Sequence, residues 1–310
     1  MQLRSTFRAA ILLFGIGTAS AESHPAWWRW ASPEATALVG IQWDHVRSSP
    51  FAAAVQGEMS GEGGLGFPQL DCLKNARQIL ISAPALLAIA AGDFPAAALR
   101  DQVLRTGAKR ALYHEIEIWV VPGKDTLSIA RISDQLMLIG RVKNLQDAID
   151  RSLLEQTEQA YSPLLARAAR YSQHDLWVVA ARLPDPLAEH FVPFDAEADG
   201  FEGGISLEGG LRMSAVFNVQ NDETAAQLAD ELQQAIQMQP AMLRGIQVAI
   251  EQNNVILELA VSKQQLAAAL RSSEPTPVAE IAKPQPAKPS GPQVIRIYGL
   301  DDGPREIVVR

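Results

Sequence analysis

One cysteine, Cys72, occurs in 310 residues, which excludes an intramolecular disulfide and leaves the fold to be held by its core. Basic side chains are scarce and dispersed. The chain has 27 Lys and Arg against 35 Asp and Glu, a formal charge of −8, and its longest basic cluster is only Lys109 and Arg110. A nucleic-acid binder needs a concentrated cationic surface to displace counterions, so that class is excluded. No apolar run approaches the ~20 residues a bilayer-spanning helix requires, so the mature chain is not expected to be an integral membrane protein. Neither an HExxH helix nor a GxSxG elbow is present.

What is present begins with a leader. Arg4 and Arg8 precede an apolar run from Ala9 to Ile16, and Ala19, Ser20 and Ala21 form a small-x-small cleavage site. This predicts a signal peptide over 1–21 and export, periplasmic or secreted, of a chain that starts at Glu22. Cys72 lies too far from the leader for lipid attachment there. With 47% apolar residues, the mature chain can bury a sizeable core as two domains or one large one.

The clearest architectural stretch runs from Gly204 to Ile236. Ile205 and Leu207 alternate with Ser206 and Glu208, Gly209 and Gly210 break the run, and Leu211, Met213, Ala215, Phe217 and Val219 then share one face of a second strand. Asn221 and Asp222 are placed to cap a helix whose apolar positions are Ala225, Leu228, Ala229, Leu232, Ala235 and Ile236. The same plan occurs earlier, with a hairpin at 79–91 and a helix in which Leu99 and Val103 answer Leu228 and Leu232 at one constant offset. Strands at 37–43 and 176–181, and hairpins at 129–142 and 246–261 with helices behind them, extend the correspondence. A short helix is predicted over 44–56 and a single strand over 113–121.

These spacings predict an α+β fold with mainly antiparallel sheets, made by tandem duplication of a β-α-β-β-α-β-β-α module. The first module spans 22–160 and the second 161–271. Two insertions belong to the first: a Gly-rich loop at 57–68 and the strand beginning at Tyr113. Two unrelated α+β domains sharing a common motif are the alternative. A Pro-rich linker follows at 272–292, with a reach of up to ~65 Å at roughly 3.1 Å per residue. A C-terminal hairpin tail at 293–310 turns at Asp301, Asp302 and Gly303. A lone two-stranded hairpin is marginal in water, so the tail is expected to dock onto a protein partner.

Candidate sites are few. Gly61, Gly63 and Gly66 spell GxGxxG, but without the strand before and helix after that a dinucleotide site needs, and they read as a loop. No cofactor is expected. Glu115 and Glu117 fall on one strand face beside Trp119, where acid and base roles compete with a plain solvated face. His174 with Asp175, Asp44 with His45, and His190 have no metal-ligand spacing. If the mature chain starts at Glu22, then His24 lies third from a free amine. That amine, two amides and the imidazole then offer Cu(II) or Ni(II) a square-planar nitrogen site. Trp27, Trp28 and Trp30 around Arg29 suit stacking on a sugar, an interfacial anchor, or packing on the body. Tyr298 is the aromatic position of the tail.

Val39, Gly40 and Ile41 leading to Ser49 and Pro50, together with the hairpin and helix units and the tail from Ile295 to Asp301, resemble a group of uncharacterised exported bacterial proteins. The resemblance implies export and assigns no site residues. The expected function is an exported, non-catalytic binding or scaffold protein with a tethered docking segment. The alternative is an exported hydrolase with dispersed catalytic residues near the first-module insertions, and ligand carriage between the halves would need an apolar cavity at their junction.

Overall fold

The structure is a computed structural model and describes residues 25–52, 71–123, 127–154, 162–181, 198–238, 243–266, 268, 293–297 and 305–309. Two compact units divide at Leu266 and Ala267. The larger is α+β, dominated by one twelve-stranded sheet with antiparallel neighbours. The smaller contains β13 (Gln293–Ile297) and β14 (Arg305–Val309), paired from Gln293↔Val309 to Ile297↔Arg305.

The large sheet starts with β1 (Ala37–Gln42), β2 (Ala76–Ala83), β3 (Leu87–Gly92), β4 (Lys109–Tyr113), β5 (Ile116–Val120), β6 (Ser128–Ser133) and β7 (Leu136–Gly140). It continues with β8 (Leu176–Ala180), β9 (Ala198–Ser206), β10 (Gly210–Val219), β11 (Gln247–Glu251) and β12 (Asn254–Ser262). Their spatial order is β11-β12-β10-β9-β8-β1-β2-β3-β7-β6-β5-β4. The chain thus lays down one flank, returns to the middle at β8, and builds the other flank outward.

Alternation along the strands gives the sheet two faces. On the first lie α1 (Trp43–Val46), α2 (Ala96–Leu104) and α5 (Asp222–Gln237); α1 and α2 bury Val46, Leu99 and Val103 against Ile79, Ile81 and Met137. On the second, α3 (Val142–Leu153), α4 (Leu165–Ala169) and a 3₁₀ turn at Ala26–Trp30 cover Leu38, Leu80, Ile89 and Leu138. α5 packs Leu228 and Leu232 on Ala215, Phe217 and Leu257, and its start is fixed by Asn221, whose side chain accepts from Thr224 N at 2.9 Å. No helix among the described residues is long and apolar enough to cross a membrane.

Several local expectations are corrected. The segment 113–121 is not one strand: β4 and β5 form a hairpin turned at His114 (φ 47°) and Glu115 (φ 66°). Positive φ at non-glycine residues marks a primed turn, whose twist matches that of the flanking strands. The first short helix ends at Val46 and does not continue through 52, because Ser48 and Ser49 turn their hydroxyls back onto the His45 and Val46 carbonyls. Of the helix expected behind the 129–142 hairpin, the last residue, Leu153, is 60% exposed. α4 has no counterpart in the sequence reading. The Gly-rich loop, the proposed linker and the tail turn lie outside the described residues.

Candidate functional site

The two flanks meet where β1 pairs with β8, Val39 opposite Val178 and Gly40 opposite Trp177. Hydrogen bonds lock this seam. Gln42 N donates to Asp175 O at 2.7 Å, and Gln42 Nε2 donates to Ser172 O at 2.9 Å. The Asp175 carboxylate is buried and satisfied on both oxygens: Oδ1 lies 2.8 Å from His45 Nδ1, and Oδ2 accepts from Leu207 N at 2.6 Å. Such bonds offset the cost of burying a charge. The hydrogen bond to Asp175 raises the pKa of His45 above the ordinary imidazole value; partial desolvation opposes it, and the charges of Asp44, Asp175 and Glu208 add to it.

Beside this cluster lies an apolar recess of about 190 Å³, lined by Val178, Ile205, Met213, Ala215, Phe217 and Leu257 among others. Its origin is local. On this face α1 packs over β1 and β2, while α5 packs over β10 and β12. Between them, Gly203 contributes no side chain to the floor, and a Cβ there would meet Phe201 Cζ and Ser214 O at 3.2 Å. Leu176, also in the lining, directly follows Asp175, so the polar cluster and the recess adjoin at the start of β8.

No family model matches the chain, and no curated protein matches it. Its fold has counterparts among solved structures. The chain is similar to TP0453 in crystal form I, at a TM-score of 0.56 and 9% identity over 81% of this chain and 98% of that one. Form III gives a TM-score of 0.50 at 9% identity and form IV 0.50 at 6%, each over 81% of this chain. At such identity the likeness extends to the fold alone.

The residues singled out in the sequence fall into different surroundings. Trp28 and Trp30 are buried at 4% and 5% exposure, with Trp28 stacked at 5.2 Å on Trp177, whereas Trp27 is half-buried and lines a polar recess. Glu115 sits in the turn and Glu117 pairs with Arg110, so the two carboxylates do not act as a pair. His114 Nε2 lies 3.1 Å from Asp150, which also accepts from Tyr113 OH at 2.8 Å, and that bond raises the tyrosine pKa. His174 stacks on Tyr171 and leaves Asp175 to His45. Among the described residues, no three of His, Cys, Asp and Glu converge as a metal site. His24, His190, Tyr298 and the GxGxxG glycines lie outside those residues.

Sequence reading missed the buried Glu202. Its carboxylate takes Arg167 Nε at 2.6 Å and Arg170 Nη2 at 2.9 Å on the second face. Its position two residues ahead of Gly204 gave no periodic signal.

Proposed function

We propose that the protein is an exported binding protein built from two copies of one module, holding an apolar group in the recess of the second module beside the seam. The recess is the observation that carries this reading. It is preformed and apolar, and its lining comes from β8, β9, β10 and β12 of the second proposed module, beside the seam with β1.

Support for duplication comes from the strand order. Outward from the seam, β2, β3, β7 and β6 match β9, β10, β12 and β11 strand for strand. α2 follows β3 as α5 follows β10, both on the first face, and the extra hairpin β4–β5 sits where an insertion is expected. Export rests on the leader over 1–21. The tail hairpin, with five residues in each strand, is too small to be stable alone, which supports its role as a tethered docking segment for a protein partner. Deleting 293–310 and comparing captured partners tests that role: an identical set would remove the tail from it.

The size of the recess sets the affinity. Burying about six methylenes at ~0.8 kcal/mol each gives ~5 kcal/mol, a Kd in the sub-millimolar range, so the rest of the ligand must contribute elsewhere. Decanoate and a neutral decyl glycoside serve as probes in isothermal titration. Val178→Trp fills the recess, so it should weaken both at least tenfold while keeping the melting temperature. Unaltered binding in that variant rejects this recess as the site.

One observation favours the hydrolase reading. His45 is oriented through Nδ1 by a buried carboxylate, as a general base would be. Turnover of a short-chain p-nitrophenyl ester that falls at least a hundredfold in His45→Gln would favour it over simple binding.

A further inference from the structure

On the second face, away from the apolar recess, the seam carries a site of different chemistry. Trp27 leaves the 3₁₀ turn edge-on to Trp28, with ring centroids 6.2 Å apart, and Trp28 leans on Trp177. Trp177 lies flat on the sheet because Gly40 opposite it has no side chain; a Cβ there would come within 1.9 Å of the indole ring. These three indoles form a wall. At its foot, Gln42 and Gln78 face each other across β1 and β2.

The two carboxamides are held in place. Gln78 Nε2 donates to Gln42 Oε1 at 2.8 Å, and Gln42 Nε2 donates onward to Ser172 O at 2.9 Å. This chain fixes the Gln42 amide and leaves Gln78 Oε1 as an acceptor with no partner among the described residues. Gln173 and Ser172 complete a recess of about 210 Å³. A second recess of about 490 Å³ also includes Trp27 and Gln78 in its lining and extends to Asp44, Arg77, Ser133 and Gln135. The two adjoin at Trp27 and Gln78, which line both, as a groove running across β1, β2 and β3.

We propose that this groove binds a neutral oligosaccharide. An indole offers an apolar face to the C–H side of a pyranose, while carboxamides both donate to and accept from its hydroxyls. One carboxylate and one guanidinium leave the groove without net charge, so it does not select an ion. β1, β2 and β3 are paired on both sides, so an extended peptide finds no open strand edge to join. A purely apolar ligand would strand the amides without hydrogen bonds.

The test is isothermal titration of the mature chain with maltotriose, cellotriose and tri-N-acetylchitotriose. At least one should bind saturably. Trp27→Ala should weaken it at least tenfold, Trp27→Phe should retain most of the affinity, and Gln78→Ala should weaken it several-fold without lowering the melting temperature. Gln78 and Gln173 lie outside the buried core, so Gln78→Ala and Gln173→Ala keep the test valid if Trp27→Ala does not fold. Val178→Trp should leave saccharide binding unchanged, which separates this site from the apolar recess. Binding of none of the three, or equal binding by wild type, Trp27→Ala and Gln78→Ala, overturns the proposal.

Discussion

The two flanks of the sheet solve the burial problem differently. In β3 and β7 nearly every residue is buried, because α2 lies on one side and α3 with the tryptophan turn on the other. In β12 burial alternates residue by residue: α5 covers one side, and Glu258 on the other lines an open polar recess with Arg212, Ser214 and Gln247. A strand covered on both faces is apolar throughout, whereas a strand covered on one face alternates. The contrast teaches that the first flank is built for rigidity and the second for access, with the apolar recess on the second flank and the tryptophan-lined recess at the boundary.

The sharpest way to break this comparison is to delete the same amount of side chain on each flank. Leu138, fully buried in β7, should cost about 2–5 kcal/mol as Leu138→Ala. Ile256, half-buried on the polar side of β12, should cost less than about 1.5 kcal/mol as Ile256→Ala. Equal losses in urea denaturation would end the distinction.

Glu202 is the next largest test, because it is the buried charge of the second face. Glu202→Gln keeps the shape but removes the charge facing Arg167 and Arg170, and should cost about 1–3 kcal/mol. A double-mutant cycle with Arg167→Met should show coupling; strictly additive losses would mean that Arg167 and Glu202 are independent. Asn221→Ala removes the cap of α5, the helix that packs on β10 and β12, with an expected loss of about 1 kcal/mol read from the thermal midpoint.

The smallest effect belongs to the seam. The folded pKa of His45 is raised, so its contribution is fully present below about pH 6.5, the unfolded imidazole value, and fades as pH rises through the folded pKa. His45 is 66% exposed, so solvent screening should keep the effect under about 1 kcal/mol. His45→Gln should therefore narrow the gap in melting temperature between pH 5.5 and pH 8. An unchanged pH profile would show that the Asp175 contact contributes no stability.

How much of this was legible follows from the same contrast. Alternation in 204–219 and 254–261 revealed strands, and the Asn221 cap marked where α5 begins. The continuous apolar runs of the first flank revealed strands too, but not what covers them. The His114–Glu115 turn was hidden because neither residue is a usual turn former, and β4 was missed with it. Asp175 and His45 are far apart in the chain and carry no shared periodicity, so their contact becomes visible only when β1 and β8 are neighbours. The same holds for Gln42 and Gln78, whose pairing depends on strand register. Sequence periodicity reports which way a side chain points, whereas a site depends on what distant segment it meets.

The central position of β8 also sets the order of assembly. Until the segment around Trp177 is available, β1 has an unpaired side in the middle of an apolar surface, and such an edge recruits stray strands. Closing a loop of this span is slow because so much chain entropy must be surrendered before the pairing repays it. A partly emerged chain is therefore most vulnerable to aggregation between completion of the β2–β3 hairpin and arrival of residue 176. Chaperone occupancy should peak in that interval.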